Sequence, residues 1–329
     1  MLVDSFGRKV TYLRISVTDR CNLRCVYCMP PEGVAWQAHE KIIRYEEILK
    51  IVMVAAEQGV REVRLTGGEP LIRPNLTDLV RWIAAVPGIE DISLTTNGLL
   101  LERLAVPLAE AGLKRVNISL DTLNAEKFAR ITRGGSFGKV WNGLLAASEA
   151  GLAPIKINVV AMKGVNDDEI LNLAQLSLEY DWHVRFIELM PIKNQAPWGE
   201  GFPAPADCYL SIKAILNLLE PLRIEPVTGG TPGNGPAQEF RVPGAPGRIG
   251  IISALGEQFC DGCNRLRLTA DGYLRPCLMN DGEVYLLDAL RNGEPLLPLM
   301  QQAVQNKPKG HELNLDRPPE GRCMTQIGG

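Results

Sequence analysis

Alternation of strand-like and helix-like segments constrains the fold of this 329-residue chain more than any other feature. Short apolar runs, typical of buried parallel strands, predict strands at residues 12–17, 62–66, 91–95, 115–119, 155–160 and 183–187. Amphipathic periodicity between them predicts helices at residues 45–58, 76–85, 100–111, 137–150 and 167–179. Such units pack as a parallel sheet with helices outside it. Six units are too few to close an eight-fold barrel, so we expect an α/β partial barrel, open on one side.

Polar and glycine-rich motifs follow these strands. They are Thr18-Asp19-Arg20-Cys21, Thr66-Gly67-Gly68-Glu69-Pro70, Thr95-Thr96-Asn97-Gly98, Ser119-Leu120-Asp121 and Met190-Pro191. Because chemistry in parallel α/β folds is placed at the carboxyl ends of strands, we expect these motifs to share one site.

The pattern changes after residue 219. Residues 229–247 are rich in Gly and Pro, which favours a loop. Short strands are predicted at residues 238–242, 248–252, 266–268 and 273–276, with a hairpin turn at Asp271-Gly272. A helical segment is predicted at residues 286–305. We therefore divide the chain into a barrel, residues 1–220, and a C-terminal extension of short strands and helices, residues 221–329.

Three cysteines, Cys21, Cys25 and Cys28, stand close together just after the first predicted strand. Thiolates are soft ligands that suit zinc and iron–sulfur clusters. A structural zinc site is normally closed by four ligands, whereas three cysteines on a four-iron cluster leave one iron open to a small molecule. The alternatives are a zinc knuckle with a distant fourth ligand and three buried thiols.

A second cysteine group consists of Cys260, Cys263 and Cys277. The close pair on a turn makes a good metal clip, and the third cysteine follows the predicted hairpin. The alternatives are a second cluster and a zinc ribbon completed by His311 or Cys323.

Cationic residues recur on the predicted strands and beside the second cysteine group. They are Arg14, Arg64, Lys156, Arg185, Arg265 and Arg267. A buried cation is costly unless it meets an anion. Arginine forks suit phosphate oxygens, so a triphosphate fits this supply of charge. The sequence has no Walker-type phosphate loop, which leaves the phosphates to side chains.

Composition excludes several classes of protein. The formal net charge is −3, which is not that of a general polyanion binder, and 46% of residues are hydrophobic, enough for a large core. We expect no signal peptide and no membrane span, and therefore a cytoplasmic protein. Eight cysteines in that compartment indicate metal or redox chemistry rather than disulfides.

With both cysteine groups, the chain resembles the GTP 3′,8-cyclase family of molybdenum cofactor biosynthesis, within the radical S-adenosylmethionine (SAM) enzymes. The C-x3-C-x2-C run with Tyr27 before its last cysteine carries the first part of the resemblance. Gly67-Gly68-Glu69-Pro70 resembles the motif for the methionine end of SAM. Further matching parts are residues 13–21, 94–100, 117–121 and 185–190, the second cysteine group and the terminal Gly328-Gly329. The resemblance covers nearly the whole chain.

The resemblance implies roles for the matching residues. Cys21, Cys25 and Cys28 would hold a SAM-binding 4Fe–4S cluster; Cys260, Cys263 and Cys277 would hold a second, whose open iron binds guanine. SAM would be lined by Tyr27, Gly68, Ser119 and Met190. GTP would be contacted by Arg14, Arg64, Thr95, Lys156, Arg265 and Arg267. The Gly328-Gly329 tail would reach into the cavity, which in this family has a cluster at each end, and be needed for cyclisation.

The implied reaction begins with reductive cleavage of SAM to methionine and a 5′-deoxyadenosyl radical. That radical takes the hydrogen from C3′ of the GTP ribose, and the new carbon radical adds to C8 of the same guanine. One electron and one proton complete (8S)-3′,8-cyclo-7,8-dihydroguanosine 5′-triphosphate. The protein's part is orientation and exclusion of water.

The resemblance also implies partners: a reduced electron donor such as flavodoxin, and the next enzyme of the pathway, cyclic pyranopterin monophosphate synthase. No nucleic acid or membrane partner is expected, and a homodimer is one assembly to test. Two other functions fit the residues, a two-cluster radical SAM enzyme that modifies a peptide and a non-catalytic zinc-binding module. Arg265 and Arg267 beside the second cysteine group and the Gly-Gly tail favour GTP.

Overall fold

The computed structural model of the protein describes residues 1–190, 197–227, 235–253, 255, 259–311, 313 and 321–328. Six parallel strands form the centre of its sheet, and each begins and ends within one residue of its prediction. They are β1 (Tyr12–Ser16), β2 (Glu62–Thr66), β3 (Asp91–Thr96), β4 (Arg115–Ser119), β5 (Ile155–Ala161) and β6 (Trp182–Glu188). The central architecture predicted from the sequence is therefore confirmed.

Helices connect these strands and cover one face of the sheet. They are α1 (Tyr45–Glu57), α2 (Leu76–Ala84), α3 (Leu101–Glu110), α4 (Ala125–Thr132), α5 (Phe137–Glu149) and α6 (Ile170–Glu179). Five match predictions, although the first residues of the last prediction form a 3-10 turn, Asp167–Glu169. The helix α4 was not predicted; the Asn124 side chain caps it by accepting from the Lys127 N–H.

The C-terminal part extends the same sheet at both edges. Helix α7 (Ile212–Leu219) precedes it. Its own elements are β7 (Glu225–Pro226), β8 (Gln238–Arg241), β9 (Arg248–Ile252), β10 (Arg265–Leu268), β11 (Tyr273–Arg275), β12 (Val284–Tyr285), α8 (Leu287–Asn292), α9 (Leu297–Gln305) and α10 (Met324–Ile327). The strand order is β12-β11-β10-β1-β2-β3-β4-β5-β6-β9-β8-β7. The outermost strands of this order, β12 and β7, are not paired with each other among the described residues, so the barrel is open, as predicted.

Two details of the C-terminal part test local predictions. The hairpin at Asp271-Gly272 is confirmed, because β10 and β11 pair antiparallel and Gly272 has a φ of +83°. The segment predicted to be helical at residues 286–305 forms two helices rather than one. Gly293, with a φ of +74°, ends α8 in the left-handed conformation, and α9 begins a new helix.

The two faces of the sheet have opposite character. On the face toward the helices, Leu13, Ile15, Val63 and Leu65 are at most 1% exposed and belong to the main hydrophobic core. Alternate residues of the same strands, such as Arg14 and Arg64, point the other way, into the barrel. A shift of strand register by one residue would exchange the core-facing and the interior-facing side chains. The alternation of apolar residues therefore fixes which side chains line the interior of the barrel.

None of the helices in the described part of the chain combines the length and apolar composition that a membrane crossing requires.

Candidate active site

A cavity of about 300 Å³ opens inside the barrel. All six cysteines of the two predicted groups line it. It is also lined by the predicted residues Arg14, Tyr27, Arg64, Gly68, Thr95, Ser119, Met190, Arg265 and Arg267. The structure therefore brings together most of the candidate residues, although they come from strands far apart in the sequence.

The two cysteine groups lie at opposite ends of the strands. Cys21 follows the carboxyl end of β1. Cys263 precedes the amino end of β10, which pairs parallel to β1 with Tyr12 opposite Arg265. The antiparallel strand β11 brings Cys277 back to that same end. A five-residue strand separates the groups, which corresponds to about 13–17 Å.

Backbone contacts with α4 hold the first cysteine loop. The Arg24 N–H donates to the Thr132 carbonyl at 3.1 Å and the Val26 N–H to the Ile131 carbonyl at 2.9 Å. Within the loop, the Cys28 N–H donates to the Cys25 carbonyl at 2.9 Å. Helix α4, which was missed in the sequence, is thus the support of this loop.

The glycine motif after β2 packs directly on the cysteine loop. A Cβ on Gly68 would lie 2.2 Å from the carbonyl oxygen of Arg20, so only glycine fits here. The Gly68 N–H donates to the Thr18 carbonyl at 2.7 Å, and the Glu69 N–H donates to the Arg20 carbonyl at 2.8 Å. The two motifs therefore form one structural unit.

Two buried carboxylates support this end of the cavity. Glu69 accepts from the Thr96 hydroxyl and the Asn97 N–H, both at 2.7 Å, while burial raises its pKa to about 7. Asp121 accepts from the Tyr27 hydroxyl and the Val160 N–H, both at 2.8 Å, and burial raises its pKa to about 6. Both belong to motifs recognised in the sequence, but no site role was assigned to either.

A buried lysine supports the second cysteine group. The Lys307 ammonium donates to the carbonyls of Arg265 at 2.8 Å and Pro276 at 2.7 Å. Burial raises the pKa of Cys263, but Lys307 and Arg265 outweigh it, so the net shift is downward. No sequence signal pointed to Lys307, since its role depends on where α9 ends in space.

Arginines form a row across neighbouring strands. Arg267, Arg14 and Arg64 occupy paired positions on β10, β1 and β2. Burial, and then Arg265, lowers the pKa of Arg267 to about 10; burial, and then Arg267, lowers that of Arg14. This concentration of positive charge favours a multivalent anion in the cavity.

Lys156 lies apart from the cavity lining and is fully buried. Its strand position pairs with Asn117 on β4 and with His183 on β6. Burial, followed by Arg185, Arg115 and Arg64, lowers its pKa to about 6. Arg185, by contrast, lines the cavity.

The C-terminal tail reaches the same cavity. Met324 and Thr325 line it, and the Gly328 carbonyl accepts from Arg267 Nη1 at 3.2 Å. Gly329 lies outside the described residues, as do residues 229–234 of the Gly/Pro-rich segment.

The donor sets fit iron–sulfur clusters. Each end offers three thiols on the cavity surface, and thiolates are the usual ligands of such clusters. No three His, Cys, Asp or Glu side chains in the described residues gather closely enough to hold a single metal ion. That observation concerns single ions, since the sulfur ligands of a four-iron cluster stand further apart. His311, a candidate fourth zinc ligand, lines the cavity.

Comparison with known families divides the chain into two matches. Residues 15–177 match the Radical SAM superfamily, and residues 182–313 match the family Molybdenum Cofactor Synthesis C. Among solved structures, the chain resembles Streptococcus suis SuiB, with a TM-score of 0.62, 14% identity and coverage of 96% of this chain and 73% of that one. SuiB bound to S-adenosylmethionine gives a TM-score of 0.59 at 16% identity, with the same coverage. These structural likenesses concern the fold alone.

Curated relatives match along the full length. The GTP 3′,8-cyclase of Moorella thermoacetica is 51% identical, and that of Pelotomaculum thermopropionicum 49% identical, each with 99% of both chains covered. The GTP 3′,8-cyclase of Petrotoga mobilis is 45% identical over 100% of both chains. The chain therefore belongs to the GTP 3′,8-cyclase family of radical SAM proteins.

Proposed function

We propose that this protein converts GTP to (8S)-3′,8-cyclo-7,8-dihydroguanosine 5′-triphosphate, the first step of molybdenum cofactor biosynthesis. The observation that carries the proposal is one cavity bordered by two cysteine groups, with carboxylates behind the first and cations around the second. SAM carries a sulfonium cation and GTP a polyanion. The charge at each end of the cavity therefore matches one of the two reactants.

The first end is assigned to SAM. Cys21, Cys25 and Cys28 would hold a 4Fe–4S cluster there, and Tyr27, Gly68, Ser119 and Met190 would line SAM. When bound, this cluster supplies the electron that cleaves SAM to methionine and a 5′-deoxyadenosyl radical. Glu69 and Asp121 are buried and accept hydrogen bonds from the loops, so one role is to fix those loops. Their second role is to make the electrostatic potential at this end more negative, which favours a sulfonium cation.

The second end is assigned to GTP. Cys260, Cys263 and Cys277 would hold a second 4Fe–4S cluster, whose open iron would bind the guanine base. Arg14, Arg64, Thr95, Arg265 and Arg267 hold the substrate, with the arginine row on the phosphates. Lys156, which is buried apart from the cavity lining, completes this substrate-binding set through its charge. Because the row is fixed on strands rather than loops, it orients the ribose toward the SAM end with little loss of entropy on binding.

Apolar side chains of the cavity lining exclude water from the reaction. Leu23, Val160, Ile187 and Met324 line the cavity among the polar groups. Gly328 meets Arg267 at the cavity. The role of the Gly328-Gly329 tail is to restrict the nucleotide to the geometry that cyclises.

We extend the proposal to partners and organisation. Residues 1–220 form the SAM-binding unit and residues 221–329 the substrate unit. A reduced electron donor such as flavodoxin supplies electrons in the cytoplasm, and cyclic pyranopterin monophosphate synthase receives the product. A homodimer is tested by light scattering.

The test is anaerobic incubation of the reconstituted protein with SAM, a strong reductant and GTP deuterated at C3′. We expect 5′-deoxyadenosine that carries deuterium, together with a nucleotide isomeric with GTP, both by mass spectrometry. The matched control is Cys25→Ser, which should form neither product.

Other outcomes contradict the proposal. Unlabelled 5′-deoxyadenosine with intact GTP would mean that another substrate, such as a peptide, is used. A colourless protein that contains zinc and no iron would favour a binding module.

A further inference from the structure

The described end of the C-terminal tail, residues 321–328, is tied to the rest of the protein through Arg322. The guanidinium forms a fork on Glu283, with Nε to Oε1 at 2.7 Å and Nη2 to Oε2 at 2.9 Å. Its remaining nitrogen, Nη1, donates to both oxygens of Asp271 at 3.0 and 2.9 Å. The guanidinium also lies 4.9 Å from the centre of the Tyr273 ring. One side chain therefore makes four charge-assisted hydrogen bonds to two carboxylates.

Both carboxylates belong to the region that carries the arginine row. Asp271 lies in the turn between β10 and β11, and β10 carries Arg267. Glu283 precedes β12 and also pairs with Arg275, whose side chain is 1% exposed. The Gly321 N–H donates to Asp281 at 3.2 Å beside the same network. The anchor point is thus rigid, and Asp271 follows the carboxyl end of β10, the strand whose Arg267 belongs to the arginine row.

A short, defined path leads from Arg322 to the cavity. The Cys323 N–H donates to Gln326 Oε1 at 3.0 Å, which closes the first turn of α10. Ile327 is 1% exposed, so the end of this helix is packed. Gly328 then lies against β1 and β2, where a Cβ would be 3.0 Å from Ser16 Cβ and Thr66 Cγ2. The tail is held at one end by Arg322 and at the other by Arg267.

We propose that Arg322 is a positioning residue for cyclisation, which docks the tail so that Gly328 is held at Arg267 of the arginine row. It acts through the tail and touches no reactant. An α10 of four residues is too short to hold itself in place, so the tail depends on the ion pairs at its start. The functional part of this inference rests on the proposed function, whereas the tether itself does not.

The tether is tested on the untagged, reconstituted protein by timed carboxypeptidase digestion and intact-mass analysis. We expect Arg322→Gln to release C-terminal residues at least about tenfold faster than wild type, because it loses the fork and the charge. Asp271→Asn, which keeps the shape of its side chain, should also accelerate release. The matched control is Arg61→Gln, which breaks an exposed pair with Glu90 at the surface and should leave the rate unchanged.

The functional consequence is tested on the same variants. In Arg322→Gln, the ratio of cyclised nucleotide to 5′-deoxyadenosine should fall about tenfold, while SAM cleavage without GTP stays within about twofold of wild type. Arg322→Lys keeps the charge without the fork and should give an intermediate ratio. Iron content and circular dichroism that match wild type establish that each variant is folded.

The outcomes separate the tether from the reaction. Wild-type digestion rates in both Arg322→Gln and Asp271→Asn would overturn the proposal, whatever the activity. Faster release with an unchanged product ratio would overturn the positioning role. If wild-type protein forms no cyclised nucleotide, the proposed function fails, and the digestion still decides whether the tether exists.

Discussion

The two cysteine groups have the same ligand set but different charged neighbours, carboxylates at the first and Lys307 with Arg265 at the second. At the first, burial and the nearby Glu69 carboxylate raise the pKa of Cys21 to about 11. At the second, Lys307 and Arg265 outweigh burial and lower the pKa of Cys263, whereas burial raises the pKa of Cys260. The two cysteine motifs alone do not reveal this difference, because the carboxylates and the lysine come from other parts of the chain.

The contrast teaches how one open barrel can orient two reactants. Parallel strands place one group after their carboxyl ends and the other before their amino ends, so the two sites share a cavity without sharing a loop. Charge then assigns each reactant to an end, since a cationic sulfonium and a polyanion are attracted in opposite directions. Predictions that alter one end and spare the other test this assignment.

The largest expected effect comes from the cysteines. Cys25→Ser should abolish SAM cleavage, because a hydroxyl is a poor replacement for a soft thiolate. Cys277→Ser should stop GTP conversion but spare some SAM cleavage. Both products are measured by mass spectrometry, with iron and sulfide analysis after reconstitution. If Cys277→Ser still cyclises GTP, the assignment of the second cysteine group to the substrate is wrong.

The arginine row should discriminate between the ligands. Arg267→Met should weaken GTP binding by about 10- to 150-fold, since a charge-assisted hydrogen bond contributes roughly 1.5–3 kcal/mol. SAM affinity should change little. Because the variant also relieves repulsion among buried cations, the ligand-free protein should unfold at a higher temperature. Calorimetry gives both quantities, and equal loss of affinity for both ligands would point to misfolding.

At the other end of the cavity, Glu69→Gln should weaken SAM binding more than GTP binding.

Lys156 should make GTP binding depend on pH. The free protein has a lysine pKa of about 6, lowered by burial and by Arg185, Arg115 and Arg64. A bound triphosphate favours the charged lysine. The protonated fraction falls about 50-fold from pH 6 to pH 8, so GTP affinity should fall by up to that factor. Titration calorimetry with wild type and Lys156→Met isolates this residue from ionisation of the nucleotide. Identical pH profiles would exclude Lys156 from the phosphate site.

The smallest effect is expected at the tail. Gly328 has a φ of +78°, which costs about 1–2 kcal/mol for a residue with a side chain. Gly328→Ala should therefore lower the yield of cyclised nucleotide about 5- to 30-fold and leave SAM cleavage intact. Gly293→Ala, at a φ of +74° with nothing within 4 Å of the added Cβ, is the matched control for strain alone. Equal losses of cyclised nucleotide in the two variants would show that the effect at Gly328 comes from backbone strain alone.

Local patterns predicted most of the barrel. The strand ends were accurate because each buried strand is a short apolar run with clear boundaries. Helix α4 was missed although Asn124 is a good cap and Phe128 and Ile131 lie on one face. The C-terminal helical segment was predicted as one because Gly293 was not recognised as a stop.

Long-range pairing could not be predicted. The sequence shows β9 and β10 as strands, but nothing local places β9 beside β6 and β10 beside β1. For the same reason the sequence placed Lys156 among the phosphate ligands without showing that it lies deeper than the arginines. Lys307 and Arg322 carried no signal, because their partners are backbone carbonyls and carboxylates brought together only by the fold.

The contact between Gly68 and the Arg20 carbonyl limits how this chemistry can be transplanted. An engineer who moves only the cysteine loop into another barrel would leave out the backbone that shapes its first residues. Moving only the glycine turn would place it against the wrong neighbour. The transferable piece is therefore both loops together, grafted as a single module on two adjacent parallel strands.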